Sequence, residues 1–274
     1  LSIRIGVFDS GVGGLASLQF LREQLLPQDF IYFADTAYFP YGMKPGAVII
    51  DRVLKAVEYL VNQKGITHLL VACNTASVYA IPFIKQAFPF LAIKGVVEES
   101  AQKAVSLSLS GHISLIGTKM TVLSSFYDSL IKRLDPKAKI TSYACPTLVE
   151  LVEEGLLTSN RTDIVLNGLQ PFLNNLLPSQ DTLILACTHF SFLKEEIQKA
   201  IRTPLTLIDS AEVTPHSFIP SPLISVLSGA MEFYVTHDSK KFSETASHLL
   251  KEKIIAQEVK IKDAPLEIEA RSNF

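Results

Sequence analysis

Two stretches, LLVACNTAS (69–77) and LILACTHFS (183–191), decide how this chain reads. They align without a gap and match at Leu69/Leu183, Ala72/Ala186, Cys73/Cys187 and Ser77/Ser191. Each has the same grammar: an apolar run, a cysteine, a polar turn and the start of a helical pattern. An apolar run without alternation marks a strand buried on both faces of a parallel sheet. Ligands of open α/β sheets gather at the carboxyl ends of the strands. Each cysteine therefore occupies a ligand-facing position, once in each half of the chain.

The same rhythm extends outward in both directions. Candidate strands are 3–8, 30–34, 67–72, 92–97, 112–117, 138–143, 181–186 and 205–209. Candidate helices are 14–26, 46–64, 75–88, 98–107, 121–132, 160–176, 190–201 and 240–251. Alternating strand and helix predicts an α/β fold with helices on both sheet faces. The segment 85–112 is where a domain crossing is expected, and the polar tail 263–274 reads as loose.

Composition narrows the function classes. The 274 residues are 48% hydrophobic and only 19% charged, with a net charge of −2. The pI is 6.3 and the mean hydropathy +0.29. That leaves ample core and argues against disorder. No basic run provides a nucleic-acid footprint. The most apolar stretches, 66–84 and 218–235, are interrupted by polar residues and prolines, so neither reads as a membrane span. No charged region precedes an apolar stretch at the start, so no secretory leader is expected. Three cysteines (Cys73, Cys145 and Cys187) make no disulfide framework and fit a reducing cytoplasm.

A free cysteine is most often a small buried apolar residue, and Cys145 before Pro146 is read that way. Cys73 and Cys187 differ, because each ends a strand and opens toward a helix N-terminus. That placement predicts a thiol pKa lowered toward neutrality. Two such thiols facing each other across a cleft suit a two-base racemase or epimerase: one takes a proton from carbon, the other returns one to the opposite face. Asp9 ends the first strand and could orient or deprotonate the Cys73 side, or simply cap a turn. His189 could relay a proton to Cys187, or be an ordinary turn residue. Spacing alone lifts neither Glu153 nor Glu154 above a solvated helix end. The loop Gly11-Val12-Gly13-Gly14 is not a dinucleotide or P-loop motif, yet it offers backbone N–H groups to an anion. Ser10, Asn74, Thr75 and Thr188 offer similar donors, and the Pro40-Tyr41-Gly42 turn could add more. The rival reading, zinc on Cys73, Cys187 and His189, lacks a fourth ligand.

Taken together, FDSGVGGL (8–15), ADTAYFPYG (34–42), VACNTAS (71–77) and LACTHF (185–190) resemble the signature blocks of the glutamate racemase family. IDSAE (208–212) and FYVTHDSKKF (233–242) resemble that family's later segments. The resemblance implies two similar parallel-sheet, flavodoxin-like domains with the active site between them. On this chain they are 1–96 plus 210–262, and 97–209. It also implies interconversion of L- and D-glutamate without pyridoxal phosphate, other cofactor or metal, in the cytoplasm, for peptidoglycan synthesis. It assigns the catalytic thiols to Cys73 and Cys187, supported by Asp9 and His189, and a catalytic glutamate to Glu153. Substrate contacts fall on Ser10, Pro40, Tyr41, Gly42, Asn74, Thr75 and Thr188. The implied partner is the small molecule glutamate, with no nucleic acid and no membrane, and a homodimer is left open. Aspartate or hydantoin racemisation is the alternative within the wider superfamily. Outside it, the alternative is a ligand-binding regulator with little turnover. The chain departs from the family pattern at Thr147–Leu151, where aromatic and proline residues are usual, and at Phe190-Ser191 in place of Tyr-Pro. Those departures bear on pocket shape and turnover.

Overall fold

Continuous apolar runs become strands that are buried on both faces. The computed structural model describes residues 3–25, 28–154, 161–201, 203–213 and 229–261. In it β1 (Arg4–Asp9) is buried from Ile5 to Asp9, and β7 (Thr182–Ala186) along its whole length. The first sheet contains β1, β2 (Asp29–Ala34), β3 (His68–Val71), β4 (Ala92–Gly95), β9 (Met231–Val235) and β10 (Ala256–Glu258). Its order is β10-β9-β2-β1-β3-β4. The second contains β5 (His112–Gly117), β6 (Lys139–Ala144), β7 and β8 (Thr206–Asp209), in the order β6-β5-β7-β8. All pairings are parallel.

The two orders share one pattern. In each, the first strand sits between the second and the third: β2-β1-β3-β4 and β6-β5-β7-β8. The chain leaves β1 in one direction and returns on its other side at β3, and it does the same around β5 and β7. The crevice at such a reversal is where open α/β sheets bind ligands. The strands β3 and β7, which carry the two echoing stretches, are equivalent in this pattern.

The helices are α1 (Leu15–Gln24), α2 (Gly46–Lys64), α3 (Asn74–Ala87), α4 (Val97–Leu107), α5 (Lys119–Leu123), α6 (Phe126–Leu134), α7 (Thr147–Glu153), α8 (Arg161–Leu173), α9 (Lys194–Ala200) and α10 (Ser239–Leu250). Four local expectations need correction. The helix expected at 121–132 is two, parted at Ser125, whose φ of 52° lies in the left-handed region. The segment after Cys187 opens as a 3-10 turn, Thr188–Leu193, and becomes α-helical only at Lys194. The helix α7 was not expected, nor were β9 and β10. The expected tail 263–274 lies outside the described residues.

One cluster of buried apolar side chains runs through both sheets. It joins Val7 and Leu70 of the first sheet, with Leu15 and Leu18 of α1, to Ile113 and Leu183 of the second, with Leu148 of α7 and Phe190 of the 3-10 turn. A second cluster covers the other face of the first sheet, where Phe8, Phe33 and Val71 meet Val53 and Val57 of α2.

Candidate active site

The site grows from strand ends. Ala72 and Cys73 donate backbone N–H groups to the Phe8 carbonyl, at 2.9 and 3.4 Å, so the end of β3 is bound to the end of β1. Cys73 then caps α3, its Sγ accepting from the Ala76 N–H at 3.4 Å. The Ser10 hydroxyl lies 3.9 Å from the same sulfur. Across the crevice, Cys187 follows β7 directly, and its Sγ stands 3.7 Å from His189 Nδ1. His189 Nε2 lies 2.7 Å from Glu153 Oε1. That oxygen also accepts from the Val12 N–H at 2.9 Å, so as a twofold acceptor it requires Nε2 to donate. Nδ1 is thereby directed at Cys187.

A cavity of about 210 Å³ lies between the sheets. Ten of the twelve sequence-derived site residues line it: Ser10, Pro40, Tyr41, Gly42, Cys73, Asn74, Thr75, Cys187, Thr188 and His189. Asp9 and Glu153 do not; they stand behind the lining. Asp9 accepts from the Gly11 N–H at 2.9 Å and from the Thr188 hydroxyl at 3.2 Å. Cys73 and Cys187 are both buried and free, as is Cys145, which lies outside the lining.

The glycine loop does a different job from the one its sequence suggests. Its N–H groups at Gly11 and Val12 are taken by Asp9 and Glu153, and none of residues 11–14 lines the cavity. Its glycines are demanded by close approach. A Cβ on Gly11 would fall 2.0 Å from Glu153 Oε1, and one on Gly13 would fall 2.3 Å from Thr188 Oγ1 and 2.6 Å from His189 Nδ1. The second half of the molecule presses on this loop at the residues that flank Cys187.

Tyr41 lines the cavity, but its hydroxyl donates to Asp35 at 2.7 Å. Asp35 also accepts two bonds from Arg52, at 2.7 and 2.9 Å, and one from Thr236, at 2.7 Å. This buried ion pair fixes the segment that carries Pro40, Tyr41 and Gly42. Asn74 donates to Ser210 at 2.9 Å and accepts from the Tyr127 hydroxyl at 2.8 Å. The hydroxyls of Thr75, Thr118 and Thr121 lie 3.0 to 3.1 Å from one another.

The sequence reading omitted Phe39, Met43, Thr118, Lys119, Pro146, Val149 and Glu150 from the lining. Thr118 and Lys119 follow the end of β5, the counterpart of β1 in the second sheet, so the strand-end rule applied to 112–117 would have found them. Pro146, Val149 and Glu150 depend on the unforeseen helix α7.

Burial dominates the electrostatics. It pushes the Cys73 thiol up, with the Asp9 carboxylate adding to the effect; the Ala76 N–H and the Ser10 hydroxyl oppose without overcoming it. The expectation that a helix N-terminus would lower this thiol is therefore corrected: desolvation of a thiolate outweighs one capping N–H. Burial also raises Asp9 from the ordinary 3.8 to about 6, against His189 and the Gly11 N–H. For His189 burial alone would lower the pKa. Its hydrogen bonds to Cys187 and Glu153 prevail and hold it well above the usual imidazole range. Among the described residues, no three His, Cys, Asp or Glu side chains group as metal ligands. Nor is any described helix long and apolar enough to cross a membrane.

Two matching parallel sheets, with a free thiol at each equivalent strand end and one cavity between them, define the class of protein as an α/β enzyme fold built from two similar halves. The chain belongs to the Asp/Glu/hydantoin racemase family, whose model matches residues 21–216. It is 36% identical over 252 residues to the glutamate racemase of Aquifex aeolicus, covering 92% of this chain and 96% of that one. A glutamate racemase isoform of Bacillus anthracis superposes with a TM-score of 0.85 at 32% identity, over 95% of this chain and 98% of that one. The Francisella tularensis glutamate racemase, solved with D-glutamate, superposes with a TM-score of 0.80 at 26% identity, over 96% and 99%.

Proposed function

We propose that this enzyme interconverts L- and D-glutamate by proton transfer between two thiols. One observation carries the mechanism: two free thiols, at equivalent strand ends of two sheets, line a single small cavity. The relatives' activity on glutamate supplies the substrate. The cavity is smaller than the roughly 300–1,000 Å³ typical of drug-sized ligands, which suits one small amino acid.

One sulfur, as thiolate, takes the α-proton, and the electron pair left on carbon delocalises into the α-carboxylate. The other sulfur gives its proton to the opposite face of the same carbon. The C–H bond broken is replaced by a C–H bond formed, and the two thiols exchange protonation states. Cys73, held protonated by burial, is the donor in the resting enzyme. Cys187, whose sulfur faces the charged His189 ring at 3.7 Å from Nδ1, is the acceptor. Glu153 fixes the ring of His189, and Asp9 supports Cys73 from behind the lining. Removing a weakly acidic α-proton demands more than general-base catalysis, which supplies about 10²–10⁴-fold. Donors on Ser10, Asn74 and Thr75, with Thr188 lining the same cavity, hold the substrate's carboxylates as charge develops. We assign the D-glutamate formed to peptidoglycan synthesis in the cytoplasm, as the family resemblance implies.

The test follows optical activity and α-deuterium together, with L-glutamate in D2O, a chelator present and no pyridoxal phosphate. The wild-type enzyme loses optical activity while gaining deuterium, and L-aspartate in a parallel sample stays unchanged. Cys73→Ala and Cys187→Ala each lose racemisation by at least about 10³-fold while keeping the native circular dichroism. Full racemisation by either variant would overturn the two-thiol mechanism. Faster turnover of aspartate would overturn the substrate.

A further inference from the structure

The residues around the cavity divide by exposure. Cys73, Asn74, Thr75, Cys187, Thr188 and His189 are buried and form the floor. Met43, Lys119, Pro146 and Glu150 are exposed and form the rim. Among the lining residues, Lys119 and Glu150 are the two exposed charged side chains, one of each sign. Lys119 opens α5 immediately after Thr118, and Glu150 lies in the first turn of α7. Both belong to the second half of the molecule, on the side of the cleft that carries Cys187.

We infer that Lys119 and Glu150 form a charge gate that sets how strongly the cleft admits an acidic amino acid. The inference rests on the proposed glutamate racemisation, whose substrate carries a net negative charge at neutral pH. Lys119 attracts that substrate at the rim and Glu150 repels it. Both stand on the exposed rim and not on the buried floor where the proton moves, so each acts equally on bound substrate and transition state. Such uniform binding alters KM and leaves kcat unchanged. Both charges face water, so their influence is modest and is screened by salt. With opposite signs on one rim, the two effects largely cancel in the wild type. Glu150 thus holds back the attraction that Lys119 alone would exert, which tempers retention of the equally acidic product.

The test measures kcat and KM for L-glutamate from about 10 mM to about 500 mM salt, a range over which the screening length shrinks several-fold. The proteins are the wild type, Lys119→Gln, Glu150→Gln and the double variant, which serves as the reference for general salt effects. Relative to that reference at low salt, Lys119→Gln raises KM about threefold and Glu150→Gln lowers it about threefold, with kcat within twofold. The sign of the salt dependence separates the two: added salt lowers KM in Lys119→Gln and raises it in Glu150→Gln. A structural role could not give opposite slopes. Equal slopes in the two single variants, or losses of kcat in both, would overturn the gate. Absence of glutamate turnover in the wild type would overturn the functional reading, and the gate with it.

Discussion

Asp9 shows most directly what a buried site costs and what it gains. Its carboxyl is fully enclosed, and burial raises it to about 6. The folded protein therefore binds the Asp9 proton more tightly than the unfolded chain does. The associated stability is fully present below about 3.8 and is lost as pH rises through about 6. Above that, enclosing the ionised group costs up to about 3 kcal/mol. An Asp9→Asn side chain can still accept from the Gly11 N–H, and the Thr188 hydroxyl can turn to accept from the new amide. The expected result is a variant that resists urea better than the wild type at pH 8, by up to about 3 kcal/mol. The advantage shrinks toward zero near pH 4, and racemisation is impaired throughout. Urea titrations at the two pH values check this, and an unchanged difference between them would refute the assigned titration. The same residue marks a limit of sequence reading. Asp9 was recognisable as a strand-end acid, but its bond to Thr188 joins positions that only the meeting of the two halves brings together.

At the scale of elements, what was legible depended on burial. The eight strands read from the sequence are all present; β1, β5 and β7 are enclosed along nearly their whole length and read most clearly, whereas the edge strands β4 and β6 are mostly half-buried. The edge strand β10, Ala256–Glu258, is short and exposed at its last two residues, so it carries no apolar run. Strand β9 falls at the end of the apolar stretch 218–235, where its short run has no boundary in the apolar pattern to set it apart. Helix α7 did carry a signal: Leu148, Val149, Leu151 and Val152 are all buried, at helical spacing. The loop 11–14 was legible as a special turn but not in purpose, since its donors serve Asp9 and Glu153. Gly13→Ala tests the close approach. The new methyl must displace Thr188 and His189, whose neighbours are buried, and a shift of about 1 Å at a site can cost about 10²-fold in rate. The expected outcome is a folded protein with kcat reduced about 10²-fold and stability lowered by about 1–3 kcal/mol, the usual cost of overpacking. Wild-type kcat in this variant would mean that the loop and the turn after Cys187 do not need to touch.

Over the whole molecule, the cavity is the seam between two sheets that do not hydrogen-bond to each other as strands. They are joined instead by side chains at the seam. Val12 to Glu153, Thr188 to Asp9, Tyr127 to Asn74, and Thr75 to Thr118 and Thr121 all bridge residues of the two halves. Nearly every bridge involves a residue that lines the cavity or stands directly behind it, so the bonds that join the halves are also those that place the thiols. Below them the apolar cluster is continuous, running from Leu15 and Leu18 to Phe190 and Leu193. Separating the sheets would expose part of that apolar cluster to water and break the bonds of Thr75 and Thr188, each at most 2% exposed, across the seam. Exposing apolar surface costs roughly 25 cal/mol per Å², so neither half stands to gain by unfolding first. The two halves should therefore lose structure together. Urea unfolding followed by far-ultraviolet circular dichroism and by tyrosine fluorescence is expected to give coincident midpoints. Tyr127→Phe, which removes one bridge to Asn74, should move both midpoints down together. If the variant instead separates into two transitions, the seam is the weaker element, and the halves hold their thiols in register only when substrate fills the cavity.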